Sequence, residues 1–260
     1  MMHFEEVINQ TDHPIATDSY QRQCQESFDQ NGVLVLKKFL TPAALDAIVK
    51  EGNNKQHLAF YTSSNHNVYL TPSDSNYAED HTRNQNVTSS KGCITDDQID
   101  TNSPLRSLYD AEALKEFLAF VLGEDELHPY ADPLSSINLH YASEGQELGW
   151  HFDNSSFAIT LLIQSPEAGG EFEYIPSLRD SSQGDMNFAG VQEALDNKTQ
   201  GAKLTVNAGD LVLFRGRDAM HRVTPTQGDV TRMLVVLAYN AEPNVSLSES
   251  ARMTFFGRLQ

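Results

Sequence analysis

A histidine and an aspartate stand two positions apart in an otherwise apolar stretch near the middle of the chain. His151 and Asp153 belong to GWHFDNSSFAITLL, residues 149–162, which continues into a run of strand-forming residues. If residues 150–153 form a strand, side chains two positions apart point to the same face. An imidazole and a carboxylate on one face make either a buried ion pair or two of the three protein ligands of a metal site.

A third candidate ligand, His221, lies in GDLVLFRGRDAMHRVTP, residues 209–225. Two imidazoles and one carboxylate form the ligand set of non-haem iron(II) oxygenases, which leaves coordination positions open for substrates and O₂. Zinc binds the same residue types, so the ligands alone leave the identity of the metal open.

Arg232 follows His221 by eleven residues and begins the apolar segment RMLVVLAYN, residues 232–240. Burial of an unpaired guanidinium is costly, so an arginine at the start of a buried strand is expected to have a partner. Its planar group binds carboxylates through two hydrogen bonds. We therefore expect a dicarboxylic co-substrate that reaches the metal with one end and Arg232 with the other.

The elements that must position these residues differ between the two halves of the chain. Helices are predicted over residues 17–32, 41–55 and 110–123, where Thr41 and Pro42 are strong start signals. Residues 62–104 are polar with little periodicity and predict a long loop or lid. From about residue 136 onward, short segments bounded by Gly, Pro and Asn predict eight strands, over residues 137–142, 150–153, 157–165, 169–176, 202–208, 210–216, 221–227 and 232–240.

This pattern predicts one mainly β domain with a helical buttress, spanning residues 1–260. The expected divisions are N-terminal helices and the polar segment over 1–130, a β core over 131–245 and a tail over 246–260. Trp150 and Phe152 alternate with the candidate ligands and are expected in the core on the opposite face.

Composition excludes several classes of function. The 260-residue chain has a formal net charge of −18, which disfavours nucleic acid as a partner, because nucleic acid is bound chiefly through Lys and Arg. The acidity is typical of a solubilising surface and also compatible with a cationic small-molecule substrate. No apolar run is long enough for a membrane span, no signal peptide is evident, and two cysteines offer no disulfide framework, so we expect a cytoplasmic protein.

The order and surroundings of these residues resemble those of the Fe(II)/2-oxoglutarate-dependent dioxygenases, which have a double-stranded β-helix (jelly-roll, cupin-like) core. The resemblance rests on His151-x-Asp153, His221 and Arg232, together with the segments HYASEGQELGWHFD, EAGGEFEY and AGDLVLFRG. Upstream, NGVLVLKKFLTPAALDAIV is similar to the N-terminal unit of phytanoyl-CoA-hydroxylase-like and prolyl-hydroxylase-like members.

The resemblance implies that His151, Asp153 and His221 bind Fe(II) and that Arg232 binds the 5-carboxylate of 2-oxoglutarate. Tyr141 falls where some members place a tyrosine that also contacts 2-oxoglutarate. Turnover would consume O₂ and yield succinate, with ascorbate as the reductant in vitro. Related halogenases have Gly or Ala at the position of Asp153, so the carboxylate favours a hydroxylase over a halogenase, with desaturation or cyclisation as less expected outcomes.

The chain length, Asn154 and the C-terminal SESARMTFFGR are similar to a group that acts on free amino acids, so a free and possibly cationic amino acid is the expected substrate. Arg83 is the candidate partner for its carboxylate, although a solvated loop arginine explains Arg83 equally well. Asn154 either reaches into the site or belongs to an ordinary turn.

The remaining polar residues near these motifs are interpreted as structural or exposed; they are His140, Glu171, Glu173, Arg215, Arg217 and Arg222. Two alternatives stay open: a peptide side-chain hydroxylase of the prolyl-hydroxylase type, and a non-catalytic metal-binding β-barrel. A zinc hydrolase is disfavoured, since no candidate general base has a recognisable spacing.

Overall fold

A computed structural model describes residues 2–260. Its α-helices are α1 (Phe4–Val7), α2 (Asp18–Asn31), α3 (Pro42–Lys55), α4 (Pro104–Tyr109), α5 (Glu112–Leu122), α6 (Phe188–Leu195) and α7 (Glu249–Phe256). The strands are β1 (Val33–Leu36), β2 (Phe60–Asn67), β3 (Asn86–Ile94), β4 (His128–Pro129), β5 (Ile137–Ala142), β6 (Leu148–His151), β7 (Ala158–Gln164), β8 (Ala168–Gly169), β9 (Phe172–Ile175), β10 (Ala202–Leu204), β11 (Leu211–Phe214), β12 (Met220–Val223), β13 (Thr226–Gln227), β14 (Arg232–Leu237) and β15 (Tyr239–Asn240).

The three predicted helices are confirmed, and their ends follow the expected capping chemistry. The Thr41 side chain accepts a hydrogen bond from the Ala44 N–H at 3.3 Å, and Pro42 occupies the first turn of α3. Helices α2 and α5 end at Gly32 and Gly123, whose φ angles of 67° and 77° are in the left-handed region that glycine adopts without strain. Their buried apolar residues belong to one hydrophobic core together with those of the sheet.

Eleven strands form one curled antiparallel sheet in the order β1-β11-β7-β14-β5-β3-β6-β12-β9-β10, with β2 paired to β3. Most neighbours in this order are distant in sequence, as expected of a sheet that folds back on itself; the consecutive strands β9 and β10 are an exception. The predicted mainly β fold with a helical buttress is confirmed. A second hydrophobic cluster contains Trp150 and Phe152, which confirms their predicted place in the core.

The interpretation of residues 62–104 as a long loop is wrong at both ends. Strands β2 and β3 pair over eight positions, from Phe60 opposite Cys93 to Asn67 opposite Asn86, and β3 continues onto β5 and β6. Most of β2 is exposed on both faces, so its sequence lacks the apolar alternation by which strands are recognised. The irregular parts are the segment between the two strands, residues 68–85, and a shorter stretch after β3, residues 95–103, which contains one turn of 3-10 helix.

Several predicted strands are shorter than expected. The segments 169–176, 221–227 and 232–240 each split into two strands, and 202–208 reduces to β10. The segment 150–153 contributes only its first two residues to β6. Helices α1, α4, α6 and α7 are not among the predicted helices. No helix within residues 2–260 combines the length and hydrophobicity needed to cross a membrane.

Candidate active site

The two candidate histidine ligands lie on neighbouring strands. His151 on β6 is opposite His221 on β12, and the centroids of their rings are 4.1 Å apart. Each Nδ1 lies within hydrogen-bond distance of a backbone carbonyl, that of Gly149 at 2.8 Å for His151 and that of Ala219 at 2.9 Å for His221. A carbonyl can only accept, so both Nδ1 atoms carry the proton and both Nε2 atoms keep a lone pair for a metal.

Asp153 completes this group from the loop that follows β6. Its N–H donates to the Gly216 carbonyl at 3.0 Å, and this bond turns the carboxylate toward the two rings. Oδ1 lies 3.6 Å from His151 Nε2 and 3.5 Å from His221 Nε2. Oδ2 is buried and has no hydrogen-bond partner among residues 2–260. A carboxylate with one oxygen beside two imidazole lone pairs and the other without a partner fits a metal ion, and one potential ligand atom from each of the three residues lies within 4.8 Å of the others.

The electrostatic surroundings favour the protonation states that metal binding needs. Burial alone would raise the pKa of Asp153, but the contacts of its carboxylate with the His151 and His221 rings outweigh burial and hold that pKa well below its ordinary value. Burial, together with the neighbouring His221, lowers the pKa of His151. An ionised carboxylate and neutral imidazoles are the forms that coordinate metals.

The three residues lie on the wall of a cavity of about 1190 Å³ enclosed by the curled sheet and by α7. Phe172 stacks on the His221 ring at a centroid distance of 5.5 Å, and Phe214 meets the same ring edge-on at 4.8 Å. These aromatic contacts fix the orientation of His221. The cavity is large enough to hold a small co-substrate and a second molecule together.

Arg232 lines the same cavity from the start of β14. Its side chain is half-buried and has no hydrogen bond or salt bridge to any residue in the part of the chain that the structure describes. Burial lowers its pKa to about 10. A Cβ at Gly170 would lie 2.9 Å from Arg232 Cδ, so the glycine leaves room for the arginine to enter the cavity.

The three other arginines near His221 are occupied elsewhere, as expected. Arg215 pairs with Asp29 at 2.6 Å, Arg222 pairs with Glu173 at 2.7 Å, and Arg217 donates to the Asn154 carbonyl at 3.1 Å. Glu173 is consequently part of a half-buried ion pair rather than freely solvated, whereas Glu171 is exposed and pairs with Lys203. Arg232 alone of these four arginines faces the cavity without a partner.

The assignment of Tyr141 to 2-oxoglutarate binding is wrong. Tyr141 is fully buried on the helix side of the sheet, and its hydroxyl donates to the Gly52 carbonyl in α3 at 2.7 Å. Its neighbour His140 points the other way, as alternation predicts, and lines the cavity. Adjacent strand residues face opposite sides of a sheet, and the helices cover the side that Tyr141 takes.

The two candidate substrate residues differ in position. Asn154 is exposed and lines the cavity. Arg83 does not line it: its backbone N–H donates to His81 Nδ1, and its Nη1 is buried without a hydrogen-bond partner in the described chain. The structure therefore provides no support for Arg83 as a ligand of a molecule in this cavity.

Two basic residues that line the cavity come from the segment predicted as a loop and are not among the sequence-predicted site residues. Lys91 on β3 is half-buried, and His66 on β2 packs edge-on against His151 with the ring centroids 6.4 Å apart. His66 Nε2 lies 2.6 Å from the Ser89 hydroxyl. No sequence pattern identified these residues, because recognising them requires knowing that β2 and β3 belong to the sheet.

Solved structures of low sequence identity share this fold. An oxidoreductase of the 2OG-Fe(II) oxygenase family from Burkholderia pseudomallei is 12% identical, with 88% of this chain and 95% of that chain covered and a TM-score of 0.51. The epimerase SnoN in complex with Fe3+, alpha ketoglutarate and nogalamycin RO is 10% identical, with coverages of 86% and 84% and a TM-score of 0.52. A prolyl hydroxylase from Trichoplax adhaerens, in complex with a hypoxia inducible factor peptide fragment, is 12% identical, with coverages of 86% and 94% and a TM-score of 0.52.

At these identities the similarities establish the fold alone, and they confirm the predicted jelly-roll core. A search of the curated proteins finds no match. The family described as halogenase D matches residues 16–254, which is nearly the whole chain and includes the metal-ligand candidates and Arg232. The chain belongs to the halogenase D family.

Proposed function

We propose that the protein is an Fe(II)- and 2-oxoglutarate-dependent oxygenase that hydroxylates an unactivated C–H bond of a free amino acid. His151, Asp153 and His221 would hold the iron. When bound, iron with 2-oxoglutarate and O₂ supplies the oxidising chemistry, and 2-oxoglutarate leaves as succinate.

The unpaired guanidinium of Arg232 carries this proposal. A metal site that serves only as a sensor or scaffold needs no second cation buried in the same cavity. Burial without a partner costs free energy, which a bound carboxylate would offset through two charge-assisted hydrogen bonds. A dicarboxylate that reaches the metal with one end and Arg232 with the other accounts for both features.

The remaining roles of the chain are positioning and exclusion of water. The backbone carbonyls of Gly149 and Ala219 hold the two imidazoles in the tautomer that presents Nε2 to the metal. Phe172 and Phe214 keep the His221 side of the cavity apolar. A cavity that excludes water protects the reaction from side products.

Asp153 supports hydroxylation rather than chlorination within a family described as halogenases. A carboxylate ligand occupies a coordination position that a chloride ion would otherwise take.

The choice of a free amino acid as the substrate is supported by the shape of the cavity, which segments around Leu70–Ser73 and α7 partly enclose. A peptide substrate would need an open groove.

The test is a mass-spectrometric screen of free amino acids with Fe(II), 2-oxoglutarate, ascorbate and O₂, with succinate measured in the same samples. A gain of 16 mass units on one amino acid, matched by succinate, is the expected result. Succinate without a modified amino acid would shift the proposal to a peptide or another metabolite. A protein that binds iron and forms no succinate would support the non-catalytic metal-binding alternative. A chlorinated product would overturn the hydroxylase assignment.

A further inference from the structure

Lys91 is a second cation in the cavity for which neither the metal site nor Arg232 accounts. It lies on β3, is half-buried, and makes no side-chain hydrogen bond or salt bridge within residues 2–260. Burial lowers its pKa. The acidic residues that line the cavity besides Asp153 are Glu167 and Glu171; both are exposed, and Glu171 is paired with Lys203. Lys91 therefore lacks a carboxylate partner from the chain.

The two unpaired cations are on different strands of the sheet and have different neighbours. Gly92 is opposite Tyr141, and Arg232 is opposite Ala142, so β5 separates Lys91 from Arg232. Two strand spacings put their backbones about 10 Å apart. Lys91 Nζ lies 5.9 Å from the centre of the Phe255 ring in α7, whereas Arg232 lies against Gly170. One small carboxylate group is thus not expected to satisfy both.

Charge balance also indicates that Lys91 and Arg232 bind different anions. A divalent metal, the Asp153 carboxylate, a dianionic 2-oxoglutarate and the Arg232 guanidinium together carry no net charge. His140, which faces the same region, has its pKa lowered well below the ordinary value by burial and by Lys91 and Arg232, and it is neutral at pH 7. The ammonium of Lys91 is left over and needs an anion that does not belong to the co-substrate.

We propose that Lys91 binds the carboxylate of the substrate on the α7 side of the cavity and thereby selects substrates that carry one. This inference rests on the proposed function and replaces Arg83 as the partner of that carboxylate. The ammonium would hold one end of the substrate beside Phe255, so that the carbon to be hydroxylated faces the metal ligands.

The test separates co-substrate binding from substrate binding. Under anaerobic conditions, 2-oxoglutarate is titrated into the Fe(II) protein, and the visible charge-transfer absorbance of the complex is followed. Free amino acids and their carboxamides are then added, and the change that each makes in the same absorbance gives a dissociation constant without turnover. Wild-type protein is compared with Lys91→Met, with the charge-retaining Lys91→Arg, and with Lys203→Met as a matched cavity lysine that already has a partner.

We expect Lys91→Met to weaken binding of the free acid by about 10- to 100-fold, as loss of a charge-assisted hydrogen bond predicts. In Lys91→Met, the dissociation constants of the carboxamides and of 2-oxoglutarate should change less than about twofold. Lys91→Arg should retain most of the preference for the acid over the carboxamide. Lys203→Met should behave like wild type. Thermal unfolding of Lys91→Met without ligands should occur at or above the wild-type midpoint, because an unpaired buried charge is removed.

Three results would overturn the proposal: an equal loss of 2-oxoglutarate affinity, an unchanged preference for acid over carboxamide, or a clear fall in the unfolding midpoint, which would give Lys91 a structural role. A wild-type protein that forms the 2-oxoglutarate complex but binds amides as well as acids would also overturn it and would leave the proposed oxygenase function intact. Failure of the wild type to form that complex would contradict the proposed function itself.

Discussion

Gly216 faces the Asp153 carboxylate so closely that an added Cβ would lie 1.8 Å from Oδ2. The same glycine accepts the Asp153 N–H through its carbonyl, so it both holds the backbone of residue 153 and leaves the space for its side chain. The Asp153 carboxylate can take this position, with Oδ1 beside the two imidazole Nε2 atoms, only because residue 216 has no side chain. The fit of this carboxylate therefore depends on two positions that are 63 residues apart in sequence.

Gly216→Ala should weaken Fe(II) binding because the methyl group displaces the Asp153 carboxylate. We expect a loss of about 10- to 100-fold, the range seen when residues that orient metal ligands are changed. In the Asp153→Gly background the same alanine meets no carboxylate, so the added loss should be small. Anaerobic Fe(II) titration of wild type, the two single variants and the double variant gives the coupling free energy between positions 153 and 216. Equal effects of Gly216→Ala in both backgrounds would show that the alanine acts elsewhere.

Replacement of either histidine ligand should reduce metal affinity more strongly than the glycine change. For His151→Ala and His221→Ala we expect a loss of about 100-fold or more, since each removes a ligand and not only its orientation. The exposed His57→Ala is the matched control and should bind Fe(II) like wild type. Metal content after dialysis checks this result, and near-normal iron in either ligand variant would contradict the assignment.

Arg232→Met should weaken 2-oxoglutarate binding while leaving Fe(II) binding unchanged. Two charge-assisted hydrogen bonds contribute about 1.5–3 kcal/mol each, or about 3–6 kcal/mol together, so we expect an increase of about 100-fold or more in the dissociation constant. Arg215→Met removes an arginine that is already paired with Asp29 and serves as the control. An unchanged constant in Arg232→Met would require another residue to bind the distal carboxylate.

The candidate metal ligands could be predicted from sequence because each lies at or beside the end of a strand with a recognisable apolar pattern. His151, His221 and Arg232 all adjoin such segments, and the order of the motifs identified their family resemblance. Lys91 could not be found in this way, because β2 beside it is exposed on both faces and shows no apolar alternation. The sheet that brings β3 next to the metal ligands is made by pairings between distant segments, which local patterns do not reveal.

The error at Tyr141 has a different cause. Alternation correctly predicts that His140 and Tyr141 face opposite sides of β5, but it does not tell which side the helices cover. That choice depends on where α3 packs, and the Gly52 carbonyl of α3 takes the Tyr141 hydroxyl. The resemblance to other family members suggested the wrong side for this chain.

His140 predicts a pH dependence of the stability of the protein without ligands. Burial and the charges of Lys91 on β3 and Arg232 on β14 lower its folded-state pKa well below 6.5. Below about pH 6.5 the unfolded chain takes up a proton at this position before the folded protein does, so the free energy of unfolding falls as pH falls. This contribution is fully present above pH 6.5 and amounts to about 1.4 kcal/mol per pH unit at most.

The check is urea unfolding of wild type and His140→Gln between pH 7 and pH 5.5, with the exposed His57→Gln as control. The glutamine variant should lose less stability over this interval than wild type, and the control should follow wild type. Parallel curves for wild type and His140→Gln would show that His140 is not held neutral in the folded protein.

Tyr141→Phe distinguishes a structural tyrosine from a ligand of the co-substrate. The change removes the hydrogen bond to Gly52 and leaves that buried carbonyl without its partner, which should lower the free energy of unfolding by about 1–2 kcal/mol. The anaerobic dissociation constant of 2-oxoglutarate should stay within about twofold of the wild-type value, because the hydroxyl lies on the helix side of the sheet. A selective loss of 2-oxoglutarate affinity with unchanged stability would restore the role that family resemblance gave to Tyr141. Lower stability with unchanged 2-oxoglutarate affinity would leave Arg232 as the residue that binds the distal carboxylate. Tyr141 would then serve to hold α3 against the sheet.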